Sequence, residues 1–177
     1  MSRRVVVTGM AGISPLGCDW KSVYTRLKTY RNAVCAMPQW QALDGLNSLV
    51  AAPAAPFDLS ERFNRRTTRS MSRSSIMACC ATELALIDAG LIDCDWIHDG
   101  SMGIAYGSCA GDPHSLMEIA ALANEKTTRK LNATTYVRFM AHTCPVNIGV
   151  FFSITGRIIT TTSACTSGSQ AIGYAYE

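Results

Sequence analysis

Thr161-Thr162-Ser163-Ala164-Cys165-Thr166-Ser167-Gly168-Ser169-Gln170-Ala171-Ile172-Gly173 is the stretch on which the reading of this chain turns. A β-branched run, from Gly156 through Thr162, leads into it, and β-branched side chains suit a pleated strand. The run gives way to small residues around a cysteine, and an Ala/Ile/Gly segment of helical character opens straight after it. The spacing therefore predicts a strand, a tight turn and a helix, with a thiol at the helix N-terminus. Unpaired backbone N–H groups and the positive end of the helix dipole favour thiolate over thiol at such a place. That is one way a cysteine becomes a nucleophile at neutral pH. Most cysteines in a chain with eight are instead buried and inert. The local pattern leaves both readings open.

Taken with two other blocks, the pattern resembles a known family. The strand followed by Ala164-Cys165-Thr166-Ser167-Gly168 is similar to the active-site elbow of the β-ketoacyl-acyl-carrier-protein synthases of the elongating type. Arg4-Val5-Val6-Val7-Thr8-Gly9-Met10, with Ser14-Pro15-Leu16-Gly17, resembles the opening of the same enzymes. Gly103-Ile104-Ala105-Tyr106-Gly107-Ser108 resembles their third strand and its glycine turn. The blocks occur in the family's order and span essentially the whole chain. Chain-length-factor subunits resemble synthases but usually lack this cysteine, so Cys165 points to a condensing subunit.

The resemblance implies a fold and a chemistry. Thiolase-like enzymes contain two related βαβαβαββ halves whose sheets pack around shared central helices. Residues 1–177 correspond to the N-terminal half, a layered α/β unit with a mostly parallel sheet, its last helix and strand incomplete. Standing alone, that helix is expected to expose an apolar surface. In the family the cysteine takes an acyl chain from a carrier thioester. Two histidines and a lysine, all from the second half, then serve decarboxylative condensation with a malonyl-carrier. His98, His114 and His142 match none of those positions, so residues 1–177 are expected not to condense by themselves.

Further site residues are carried over by the same resemblance. Arg66, Arg69, Arg129 and Lys130 match the basic places where these synthases dock a strongly acidic acyl carrier protein. Ala110 matches a position where a bulkier residue limits chain length. Phe139, in a segment that faces the neighbouring subunit of the family's dimers, helps close the pocket floor. Arg138, Phe139 and Pro145-Val146-Asn147 depart from the family's usual residues, which leaves fatty-acid and polyketide or polyene synthesis both open. The expected partners are an acyl carrier protein, a second synthase chain in a homodimer or heterodimer, and the missing C-terminal half. No cofactor is implied.

Composition sets independent bounds. A hydrophobic content of 48% with 16% charged residues excludes a disordered chain. No apolar run reaches the length of a membrane span, and Met1-Ser2-Arg3-Arg4 leads into a strand-like run without a signal-peptide pattern, so a cytoplasmic location is expected. The eight cysteines are scattered, form no C-x-x-C pair and never cluster with histidine at ligand spacing. They read as reduced core thiols rather than as disulfides or metal ligands. Arg62, Arg65, Arg66, Arg69 and Arg73 lie within twelve residues, but the net charge is only +3 and Phe63 is the single aromatic among them, which argues against nucleic acid.

Periodicity predicts a strand over Arg3–Thr8 and a helix capped by Asp19 with apolar positions Trp20, Val23, Tyr24 and Leu27. A loop follows over 31–45, then a short strand over 49–52. One long helix is expected from about Arg69 to Ala89, stopped by Gly90. Strands over Met102–Tyr106 and 158–162 bracket helices over 116–124, 134–140 and 146–152. Two function classes follow. One is the nucleophile-bearing part of a synthase. The other is a non-catalytic half-synthase that acts as an interaction subunit. The thiol favours the first, and the unmatched histidines favour the second.

Overall fold

The structure, a computed structural model, describes residues 4–177. They form two compact units, one made of Ala11–Leu59 and the other of the residues through Met10 together with Ser60–Glu177.

In the smaller unit Asp19 caps helix α1 (Trp20–Lys28), its carboxylate accepting the Ser22 N–H at 2.9 Å. The expected loop over 31–45 carries structure of its own. Strand β1 (Cys35–Ala36) pairs antiparallel with β2 (Val50–Ala51), and a 3-10 turn spans Pro38–Ala42.

The larger unit holds the core and the cysteine elbow. Helix α2 (Arg65–Thr68) is a single turn capped by Asn64, and α3 (Arg73–Asp88) is a separate helix. The single helix expected from Arg69 is therefore interrupted. Ser72 is the cause: its backbone is extended (ψ 169°) and its hydroxyl accepts the Ser75 N–H at 3.1 Å, so it starts a new helix. Beyond α3, Gly90 adopts φ +68°, a left-handed conformation that suits glycine and ends the helix where the sequence indicated.

The strand expected over Arg3–Thr8 does not form. Arg3 lies outside the described residues, and residues 4–8 belong to no strand. Val5, Val6 and Val7 are 49%, 60% and 76% exposed. Three successive valines favour an extended backbone, but a strand exists only through pairing with a neighbour, and the described residues offer these valines no ladder. The segment is tied to α3 at its end, where the Met10 N–H donates to the Asp88 carboxylate at 2.9 Å.

Strand β3 (Ile104–Gly107) pairs parallel with β4 (Ile158–Thr161), from Ile104 opposite Ile158 to Gly107 opposite Thr161. Parallel pairing requires a crossover, here built from α4 (Pro113–Asn124), α5 (Thr135–Phe139) and α6 (Thr143–Phe152). Asp112 caps α4 and Pro113 occupies its first position, where a missing N–H costs nothing. The core lies between α3 and α6, where Met71, Cys79, Leu86, Ile148, Phe152 and Ile154 are buried with Ile97. Helix α7 (Ser167–Tyr176) packs on β3 and β4 through buried Ser167 and Ala171. Its Ile172 and Tyr176 remain 74% and 65% exposed. Among the described residues no helix is long and apolar enough to cross a membrane.

Candidate active site: the cysteine elbow

Between β4 and α7 the chain reverses in a 3-10 turn, Ala164–Thr166, and Cys165 stands exposed within it. Ala164, immediately before the thiol, has φ +50°. A residue with a Cβ in that region is strained by about 1–3 kcal/mol, so its surroundings must hold it there. The small polar residues of the block do so. The Ser167 hydroxyl accepts the Ser163 N–H at 2.9 Å and donates to the Ala164 carbonyl at 2.8 Å. Thr166 donates to the Ser163 carbonyl at 2.8 Å, and Thr161 to the Ser167 carbonyl at 2.7 Å. The Ser163 hydroxyl reaches Gln170 at 2.6 Å. Thr166, at the N-cap of α7, makes no side-chain bond to the helix, its hydroxyl being turned back to Ser163.

The end of β3 presses on this turn. A Cβ on Gly107 would overlap the backbone of Ser167 and Gly168, so only glycine lets the strand come this close. The loop that follows folds back through a Ser108 hydroxyl donating to the Ala110 carbonyl at 2.9 Å. It then lies against α5: Asp112 N–H donates to the Arg138 carbonyl at 2.9 Å, and a Cβ on Gly111 would overlap the Phe139 backbone. Thus exposed Ala110 and half-buried Phe139, far apart in sequence, belong to adjoining segments.

Arg65, Arg66 and Arg69 line one groove of about 640 Å³ with Ser70 and Thr134. Arg62 stands apart from them. It pairs with buried Glu83 at 3.4 Å, and its guanidinium lies 5.2 and 5.1 Å from the ring centres of Phe151 and Phe152. Arg129 is exposed. Lys130 is paired with Glu125 at 2.6 Å and lines a different groove, with His114, Met117 and Glu118. The histidines are scattered. His98 contacts the Ser153 carbonyl at 3.2 Å, His114 lies 3.8 Å from Glu118, and His142 is exposed at the start of α6.

The cysteines divide by environment. Cys79, Cys80 and Cys144 are buried, whereas Cys35, Cys109 and Cys165 are exposed, so the expectation of core thiols holds for only part of the set. Burial, reinforced by neighbouring Cys144, Cys80 and Glu83, pushes the Cys79 thiol up to about 12. Burial also raises Cys144, whose thiol donates to the Tyr106 hydroxyl at 3.0 Å. Both stay protonated, and hence unreactive, at neutral pH. Among the described residues no His, Cys, Asp and Glu gather to hold a metal. Sequence reasoning passed over the hydroxyls of Thr161, Ser163, Thr166 and Ser167, and the signal was their density on either side of one cysteine. It also passed over Gly107 as a contact of the elbow, a role visible only in three dimensions.

A mixed α/β unit that presents an exposed cysteine in a strained strand-to-helix turn is the arrangement that the resemblance to thiolase-like ketosynthases implied. The chain belongs to the β-ketoacyl synthase family, and the family model for the β-ketoacyl synthase N-terminal domain matches residues 2–177. It is similar to 3-oxoacyl-[acyl-carrier-protein] synthase 1 of Haemophilus influenzae, with 25% identity over 176 residues, 99% of this chain and 43% of the relative. A solved β-ketoacyl synthase from Burkholderia phymatum superposes with a TM-score of 0.93 at 43% identity, covering 99% of this chain and 43% of that one. A type II polyketide ketosynthase, solved in complex with its acyl-carrier protein and bound to the hexaketide, gives a TM-score of 0.77 at 25% identity. That match covers 99% of this chain and 47% of the other. The chain spans less than half the length of the relatives it matches.

Proposed function

We propose that residues 1–177 form the nucleophile-bearing N-terminal part of a β-ketoacyl-acyl-carrier-protein synthase. Cys165 is its acyl acceptor. The thiolate attacks the carbonyl of a carrier-bound acyl thioester, a new carbon–sulfur bond forms at Cys165, and the bond to the carrier sulfur breaks. The carrier thiol leaves with the proton that Cys165 gave up. The backbone N–H of Cys165 stabilises the oxyanion formed on the way. Decarboxylation of a malonyl-carrier then releases carbon dioxide and leaves a carbanion; its attack on the acyl carbonyl forms the new carbon–carbon bond, breaks the thioester at Cys165 and returns the Cys165 thiolate. That second step draws on groups outside these residues. An acidic carrier docks on Arg66 and Arg69, with Arg129 and Lys130 as outer contacts, and the acyl chain runs past Ala110 toward Phe139. Opposite charge on the two surfaces speeds encounter more than it raises affinity.

The observation that carries this reading is the braced elbow: Ala164 at φ +50°, held by four hydrogen bonds made by the hydroxyls of Thr161, Thr166 and Ser167, with Cys165 exposed in the turn. Intact-mass analysis of the full-length protein with acyl-carrier tests it. The wild type should gain the mass of the acyl group on the peptide containing Cys165, and Cys165→Ala should gain none. An equal mass gain in Cys165→Ala would move the nucleophile elsewhere.

A further inference from the structure

Arg138 is the residue that ties the basic groove to the pocket loop. Its side chain reaches across 69 positions of sequence, Nη2 donating to the Arg69 carbonyl at 2.8 Å. Its own carbonyl accepts the Asp112 N–H at 2.9 Å, fixing the loop that carries Ala110 and Gly111. One residue thus touches the docking segment with its guanidinium and the pocket loop with its backbone. The Arg69 segment needs such an anchor. It lies in the break between α2 and α3, where no helix ladder holds it, and Ser70 is pinned beside it by a hydroxyl bond to Asn147 at 3.2 Å. The Arg138 Nε atom is buried with no hydrogen-bond partner, so the side chain gives up solvation to sit where it does.

We infer that Arg138 is a positioning residue for carrier recognition: it holds the Arg66–Arg69 segment in the geometry that meets an acidic carrier while keeping that segment in register with the acyl pocket. This rests on the proposed carrier-docking role of Arg66 and Arg69. Lysine does not replace it, because a single ammonium lacks the planar fork that reaches a carbonyl from a packed side chain. The Asp112 bond uses the backbone of residue 138 and survives substitution, so the pocket loop is spared.

The test compares two acyl donors on the full-length protein: an acyl-carrier protein, and the same acyl group on pantetheine, which has no protein surface. Arg138→Ala and Arg138→Lys should each raise KM for the acyl-carrier about tenfold, the size of one lost charge-assisted hydrogen bond. Both should leave kcat and the rate with acyl-pantetheine within about twofold, the ordinary scatter of a neutral change. Charge reversal at Arg66 and Arg69 is run in parallel. If the reversal weakens carrier use but the Arg138 variants do not, this inference fails and the docking reading stands. If the reversal has no effect, the docking reading itself fails. An equal loss with both donors would make Arg138 a general support of the fold and overturn the positioning role.

Discussion

Cys165, Cys79 and Cys144 share one functional group and differ in what surrounds it. Cys165 stands exposed in a braced turn at the start of α7, whereas Cys79 is fully buried and the buried Cys144 thiol donates a hydrogen bond to the Tyr106 hydroxyl. Burial holds the second pair protonated, and only a thiolate alkylates. In the native protein at mildly alkaline pH, iodoacetamide should label Cys165 before any other cysteine and leave Cys79 and Cys144 untouched. Peptide mapping by mass spectrometry checks the order. Cys109 is the informative competitor, because it too is exposed but sits in a loop rather than at a helix start. Labelling of Cys109 ahead of Cys165 would move the reactive thiol away from the elbow.

Helix α2 shows how little regular structure is needed to present charge. Four residues cannot hold a helix on propensity alone, and Asn64 supplies the support by accepting the Arg66 and Thr67 N–H groups at 3.0 and 3.2 Å. Losing such a cap costs about 1 kcal/mol, a large effect on a single turn. Asn64→Ala should therefore speed hydrogen exchange at Arg66 and Thr67 and weaken acyl-carrier binding several-fold, although no charge has changed. Faster exchange with unaltered binding would mean that the arginines act as a mobile cloud of charge. The same logic separates α2 from α3, since each begins at its own cap.

At the scale of the whole molecule, the buried thiol of Cys79 couples the fold to alkaline pH. In the unfolded chain a thiol ionises near its ordinary value, while in the core it holds its proton up to about 12. Between those two limits the native state binds more protons, so stability is complete below the ordinary thiol range and falls as pH rises toward about 12. Cys144 and Tyr106, both raised by burial, act in the same direction. The denaturation midpoint of the full-length protein should fall across this window, and Cys79→Ala should make the fall shallower whatever it does to stability at neutral pH. An unchanged slope would assign alkaline sensitivity to other groups.

The sequence by itself determined the elements whose signals are local. Asp19 before an apolar stripe, Gly90 after one, and the β-branched run ahead of Cys165 each formed structure close to where they were read, because caps, left-handed stops and strand propensity act within a few residues. The thiol and its place before α7 were legible for the same reason. Tertiary structure decided the rest. Val5–Val7 favour an extended backbone and yet form no strand, since pairing depends on a neighbour that sequence spacing does not specify. Arg62 stood with the other arginines in sequence and was drawn off by Glu83 and two phenylalanine rings, whereas Arg65, Arg66 and Arg69 share a groove. Gly107 against Ser167, and Arg138 against Arg69, unite segments tens of residues apart. Such contacts follow from how the helices pack on the β3–β4 pair, a property of the folded chain as a whole and of no segment within it.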